Sequence, residues 1–303
     1  MSHISTLFLS ACTLFLAGCN FSSLESSVER DPTTLHPSTI IQLSTPTLIH
    51  SPKISQASDL AYNDETNTLY VIGDKGLLYS YEVSFEKDKL ILQYQETKDI
   101  SKINPSFKID SEGLTINAMH DMIISFEGTP RISNIDTNGS IGKTYTLPEV
   151  LNKKSNYVDG NKMLESVAWH ETYGVLTAAE FPLKDKNNTQ QTIYSLNGKV
   201  WHFKAEPYTD NAVTAIEVMD DNNLLILERA YKKGSIPSFY ITLKKLYLNE
   251  CDDHQLCKTD ILYAQKIDFK NYEGLTKIGE NHYLMVNDNQ DKVSTEFFYF
   301  KIE

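Results

Sequence analysis

Positive charge, cysteine and long apolar runs are all scarce in this chain. Its 303 residues carry 28 Lys and Arg against 40 Asp and Glu, a formal net charge of −12 at pH 7. That balance argues against a nucleic-acid partner, because a phosphate backbone needs a basic surface. It suits cation binding or a merely acidic, solvated surface, and composition does not choose between them. The apolar run at 7–17, LFLSACTLFLA, is too short to span a bilayer. Gly-x-Ser-x-Gly, His-Glu-x-x-His and phosphate-binding glycine loops are absent, so no dedicated nucleophile announces itself. The 8 His are scattered, and His170, in a hairpin turn, is expected to be exposed. Sustained helical periodicity is nearly missing, which points to an all-β chain. What is present suffices for a sizeable core, with 41% of residues hydrophobic and 11% aromatic.

The amino-terminal residues read as an address rather than as fold. The apolar run ends in Leu16-Ala17-Gly18-Cys19, which looks like a bacterial lipobox, although Met1 to Ser5 lack the usual Lys or Arg. Residues 1–18 are therefore expected to be a lipoprotein signal peptide, with Cys19 as the lipidation site. Residues 19–39, polar with Pro32 and Pro37, are expected to be a flexible tether. Asn20 is compatible with outer-membrane sorting. The expected location is thus the cell envelope, lipid-anchored at the outer membrane and facing the periplasm or the surface. Of the 4 Cys, Cys12 and Cys19 belong to the signal, leaving Cys251 and Cys257 around Asp-Asp-His-Gln-Leu. In an exported protein a disulfide closing that loop is the expectation, and a metal site using both thiols, His254 and an Asp is the alternative.

From about residue 40 the chain repeats a unit. An acidic residue opens a short apolar strand, a turn follows, and a second apolar strand ends on another acid fifteen positions after the first. The pairs are Asp59 with Asp74, Glu112 with Glu127, Glu165 with Glu180, and Glu273 with Asp288. Starts at 59, 112 and 165 lie 53 residues apart, a period that signals a repeat architecture. In one further unit the count back from Glu228 lands on Val213, so that unit has lost its first acid; Glu217 lies only eleven before Glu228. Each unit offers four short strands; in the first they fall at 60–62, 69–72, 77–83 and 90–95. Residues 148–161 form the longest polar stretch and an expected exposed loop. Four strands per unit and five units predict a β-propeller of about five four-stranded blades over residues 40–303. The last unit is one strand short, and residues 40–49 are expected to supply it and close the ring. Six blades is the alternative, because the step from Glu228 to Asp288 is longer than the others.

In a hairpin the start of one strand and the end of the next are neighbours. The fifteen-residue spacing therefore predicts that the acid pairs converge on one mouth of the central channel. Asp59, Asp74, Glu112, Glu127, Glu165, Glu180, Glu228, Glu273 and Asp288 are the candidate metal ligands. Oxygen donors without Cys or His favour a divalent cation such as Ca²⁺, with Mg²⁺ also possible. Alternatively the acids accept hydrogen bonds from neighbouring blades and only hold the ring together. Lys75, Arg131, Arg229 and Lys292 follow the second acids, either as ion-pair partners or, with Lys75, Arg131 and Arg229 as the anion-binding candidates, as a clamp for a phosphorylated small molecule.

The segments SDLAY (58–62), DSEGLT (110–115) with Glu127, Gly128 and Arg131, LESVA (164–168), LILER (225–229) and YEGLT (272–276) together resemble the phytase-like domain family, also called esterase-like activity of phytase. The resemblance spans roughly residues 55–290. It implies a propeller with clustered Glu and Asp and a phosphoester-hydrolase activity, with Glu112, Glu127, Glu165 and Glu273 as catalytic candidates. Two departures stand out: Ser166 replaces the glycine found at Gly113, and Val213 stands where an acid belongs. A non-catalytic, cation-stabilised propeller that binds a ligand or partner protein is the competing expectation.

Overall fold

Short apolar segments cut off by turn residues become strands, and four of them make each blade. The structure is a computed structural model that describes residues 39–303 apart from 88, 107, 185, 187, 188 and 289–293. The expected signal peptide, Cys19 and nearly all of the expected tether lie outside the described residues. Two short strands come first, β1 (Ile40–Gln42) and β2 (Thr47–Ile49). Blade one follows as β3 (Ala57–Asn63), β4 (Thr68–Gly73), β5 (Leu77–Glu86) and β6 (Lys89–Asp99), trailed by the one-turn helix α1 (Ile100–Ile103). Blade two is β7 (Ser111–Ile116), β8 (Met122–Phe126), β9 (Arg131–Ile135) and β10 (Ile141–Thr144), followed by α2 (Glu149–Asn152). Blade three is β11 (Leu164–His170), β12 (Gly174–Ala179), β13 (Gln190–Ser195) and β14 (Val200–Lys204). Blade four is β15 (Asn211–Val218), β16 (Leu224–Lys232), β17 (Ser238–Cys251) and β18 (Cys257–Asp268). Blade five is β19 (Asn271–Gly279), β20 (His282–Asp288) and β21 (Phe297–Ile302), completed by β1.

The first strand of each blade lies innermost. β3 touches β7, β7 touches β11, β11 touches β15, β15 touches β19, and β19 returns to β3. That closed cycle is a five-bladed β-propeller. The extra length that had suggested a sixth blade is spent in the long outer hairpin of β17 and β18. Hydrophobic burial drives the ring together, and the core is divided into layers between adjacent blades rather than gathered at one centre. Ala61, Ile72, Leu78, Leu114, Ile124 and Phe126 fill the layer between blades one and two. Leu225, Leu227, Leu243, Leu275, Met285 and Phe300 fill the layer between four and five. Because both faces of a blade are covered, strands such as Met122–Phe126 are buried at every position.

The closure divides residues 40–49 between two blades. β1 pairs antiparallel with β21, Ile40 opposite Ile302, and supplies the missing outer strand. β2 instead adds to the outer edge of blade one, parallel to β6. The stretch 148–161 is not simply an exposed loop. α2 and a 3₁₀ turn at Lys154–Asn156 drive Leu151 and Tyr157 into the layer between blades two and three, where the Tyr157 hydroxyl donates to Leu151 O at 2.7 Å. His170 is likewise buried rather than exposed, at 1% of its free surface. Its ring packs on Tyr173, and Nε2 meets the Asn222 carbonyl at 3.1 Å.

Candidate metal centre at the channel mouth

One irregularity recurs in all five blades and aims the acids. Near the start of each inner strand the pairing slips by one residue. Ala57 faces Gly73 but Asp59 faces Ile72, skipping Ser58. Leu164 faces Ala179 but Ser166 faces Ala178, skipping Glu165. Thr214 is skipped between Val213–Glu228 and Ala215–Leu227, and Glu273 between Tyr272–Asn287 and Gly274–Val286. In blade two the slip falls between Ser111 and Leu114, the segment that holds Glu112. A bulge leaves one residue unpaired and re-aims its side chain. Ser58, Glu112, Glu165, Thr214 and Glu273 are therefore equivalent positions at one end of the bore. One residue beyond the pair that precedes each bulge, the second strand presents Asp74, Glu127, Glu180, Arg229 or Asp288.

Two of the nine carboxylates counted from spacing do not join this set. In blade one the equivalent pair is Ser58 and Asp74, whose side chains meet directly, Ser58 Oγ donating to Asp74 Oδ1 at 2.6 Å. Asp59, one residue further on, is 1% exposed. It accepts from Leu60 N at 2.9 Å, Leu114 N at 2.8 Å and Leu275 N at 3.0 Å. One carboxylate thus clasps blade one to blades two and five. The glycine of the Glu-Gly-Leu motif makes room for it: a Cβ on Gly274 would stand 2.7 Å from Asp59 Cα. In blade four the equivalent pair is Thr214 and Arg229, and Glu228 turns into the blade. There it meets Lys244 Nζ at 2.7 Å, a lysine shared with Glu206 at 2.9 Å. Glu217 is a second clasp, accepting from Val218 N at 2.7 Å and from Lys277 N of blade five at 3.0 Å.

The remaining acids form an interacting set. Glu127, Glu165 and Glu180 each bring a carboxylate oxygen to within 4.8 Å of the other two. The backbone holds them there: Met163 N donates to Glu127 Oε1 at 2.5 Å, and Glu180 N donates to Met163 O at 2.9 Å. Arg229 Nη2 stands 3.3 Å from Glu180 Oε1 and 3.3 Å from Glu273 Oε1. Asn271 Nδ2 donates to Glu273 Oε1 at 2.7 Å. Glu112 and Glu165 have no hydrogen-bond or ion-pair partner among the described residues. Burial, reinforced by the neighbouring negative charge, raises the carboxyls. Asp74 is pushed up to about 6 by burial, with Ser58 opposing and Asp288 and Asp110 adding. Glu127 is pushed up to about 7 and Glu273 to about 8, in each case chiefly by burial. Burial raises Glu112 and Glu165 well above the ordinary carboxylate range, and each then feels the other acids of the mouth. Glu180 is raised by burial and held back by Arg229 and Lys162.

A set of buried carboxylates this dense needs compensation by bound protons or by positive charge, and three converging oxygens with no thiol or imidazole are donors that a hard divalent cation takes. The residues present fit such an ion. Of the four cationic residues that follow second acids, Lys292 lies outside the described residues, and of the other three Arg229 alone meets acids of the cluster. Arg131 lies over the Phe126 ring, 4.3 Å from its centroid, and Lys75 is exposed. Sequence reasoning overlooked Asp110 and Ser58 as members of the mouth. Asp110 directly precedes blade two's inner strand and contributes to the fields at Asp74, Glu112 and Glu127. The sequence signal was present in Asp-Ser-Glu-Gly-Leu, where two acids flank a single serine. At the ring's outer edge, Cys251 and Cys257 are joined by a disulfide.

The family described as phytase-like, esterase-like activity of phytase, matches residues 52–291. No curated protein matches the sequence. Among solved structures, the PQQ-bound aldose sugar dehydrogenase of Streptomyces coelicolor is similar at 12% identity and a TM-score of 0.46, covering 87% of this chain and 98% of that one. The selenomethionine-substituted virginiamycin B lyase of Staphylococcus aureus is similar at 8% identity and a TM-score of 0.37, covering 87% and 98%. A luciferin-regenerating enzyme is similar at 10% identity and a TM-score of 0.41, covering 82% and 92%.

Proposed function

From the premise that this chain belongs to the phytase-like family, we propose that its acidic mouth holds a divalent cation, Ca²⁺ in the first instance, and hydrolyses a phosphoester there. The observation that carries the reading is the convergence of Glu127, Glu165 and Glu180 within 4.8 Å, beside a Glu112 that no described residue engages. Those three glutamates would hold the ion. Bound there, it supplies the positive charge that draws a phosphoryl oxygen to an otherwise negative mouth and makes the phosphorus more electrophilic. The chain's own groups then divide the proton work. Glu112 has no partner among the described residues. Burial and the neighbouring acids favour its protonated form, but the charge of a bound cation would favour its carboxylate, which would then take the proton from an attacking water. Glu273, held between Arg229 and Asn271 and pushed up to about 8, keeps a proton near neutral pH and can pass it to the leaving oxygen. The new P–O bond comes from water and the ester P–O bond breaks, so no covalent enzyme intermediate is needed.

A specific observation favours the second reading, a non-catalytic cation-stabilised propeller that binds a ligand or partner. An anion clamp needs free cationic side chains. Arg229 is already engaged by two carboxylates, Arg131 lies over Phe126 and Lys75 is exposed. One assay decides between them. The purified mature protein is offered phosphomonoester and phosphodiester substrates with Ca²⁺, with Mg²⁺ and with EDTA, beside Glu112→Gln and Glu273→Gln. Metal-dependent turnover that falls by at least a hundredfold in each variant supports the hydrolase. Thermal stabilisation by metal with no turnover on any substrate leaves the binding propeller.

A further inference from the structure

Blades one, two, three and five each place a carboxylate one residue beyond the pair that precedes the bulge, and blade four places Arg229 there. Its bulge residue is Thr214, so neither of blade four's two mouth positions carries an acid. The acid next to Arg229 in sequence, Glu228, is turned away to Lys244. The ring of carboxylates therefore has one gap, and the guanidinium spans it. Its Nη2 lies equally close, at 3.3 Å, to Glu180 of blade three and to Glu273 of blade five. The side chain is 15% exposed and sits in the field of Glu165 and Asp288 as well. A guanidinium keeps its charge at every pH the fold meets.

We propose that Arg229 is a tethered cation that takes the place of a second metal ion, joining Glu180 to Glu273 and limiting the mouth to one divalent cation on the Glu127–Glu165–Glu180 side. The inference rests on the cation reading above. One cationic nitrogen between two carboxylates supplies the charge compensation that a hard divalent cation would supply to the same oxygens. Because Glu180 belongs to both groups, Arg229 also competes with the bound cation for a ligand. Removing the guanidinium leaves two buried carboxyls without its charge, so they must either take up protons or admit another cation, and on this proposal a cation enters.

The test counts ions. Ca²⁺ titration calorimetry on the mature protein, Arg229→Lys and Arg229→Gln is read alongside melting in EDTA and in Ca²⁺. One ion per chain is expected in the parent and in Arg229→Lys, and two in Arg229→Gln. One ion in all three overturns the inference and leaves the cation reading standing. No ion in any of them ends both. No ion in the parent but one in Arg229→Gln upholds Arg229 as the resident cation and ends the metal reading for the native protein. Arg229→Gln could be unfolded in EDTA. In that case, restoration of cooperative melting by Ca²⁺ but not by K⁺ at equal ionic strength supports the proposal, and no restoration counts against it.

Discussion

Asp59 and Glu112 show how far two acids on neighbouring inner strands can differ in duty. Asp59 spends its oxygens on the amides of Leu114 and Leu275, whereas Glu112 has no partner among the described residues. Each buried amide left without an acceptor costs about 1–3 kcal/mol. Asp59→Ala should therefore lose about 2–5 kcal/mol in urea unfolding, with the ring loosened at both flanks of blade one. Glu112→Gln should do the reverse in the absence of divalent cation. It replaces a carboxyl that ionises only against burial and the charges of Asp74, Glu127 and Glu273, and it breaks no described hydrogen bond, so stability holds or rises. Equal losses in the two variants would mean that the mouth acids, too, are only clasps between blades.

The hairpin is the element the repeat encodes, and its legibility had a sharp edge. Strand number, blade number and the shortfall in the last unit could all be read from turn residues and spacing. The bulge could not, because it adds one residue without changing the apolar pattern. In a strand one residue is the difference between the two faces. Counting fifteen from Asp59 reached Asp74, yet the true partner is Ser58, sixteen away. Counting back from Glu228 reached Val213, yet the mouth positions are Thr214 and Arg229. Where Glu opens the motif in blades two, three and five, the count and the bulge agree. The split of residues 40–49 between blades also left no mark, since β1 and β2 are equally short and apolar.

The outer hairpin of blade four carries its own expectation. Its disulfide closes residues 251–257, and the Gln255 carbonyl inside that loop accepts from His202 N of β14 at 2.8 Å. A cross-link over so short a loop restrains the unfolded chain by about 2 kcal/mol. Cys251→Ser with Cys257→Ser should lose about that much in urea unfolding, and amide exchange at His202 should quicken. Cation affinity should not move, because the hook lies at the rim and not at the mouth. A change in affinity would show that the outer edge communicates with the bore.

At the scale of the whole molecule the acids set how stability varies with pH. Asp74, Glu127 and Glu273 titrate at about 6, 7 and 8 when folded, above the ordinary carboxylate values near 4 that the unfolded chain shows. The folded state thus holds protons that the unfolded state has released. Stability is fully present below about pH 4, falls as pH rises through about 6 to 8, and levels off above that. A divalent cation binds the ionised carboxylates, so its stabilising effect should grow over the same window. Melting curves in EDTA should decline from about pH 5 to pH 8, and those in Ca²⁺ should stay level; two parallel curves would show that the ion binds elsewhere. The pairing of β1 with β21 carries a consequence in time rather than in energy. Ile40 lies opposite Ile302, so the blade that shuts the circle needs both the first strand and the last. Blades one to four can assemble from near neighbours as the chain emerges. The fifth must wait until residues 297–302 are available to β1, and contacts so distant in sequence form slowly. Until then the nascent ring is an open arc with two exposed flanks, and the channel mouth it will surround does not yet exist.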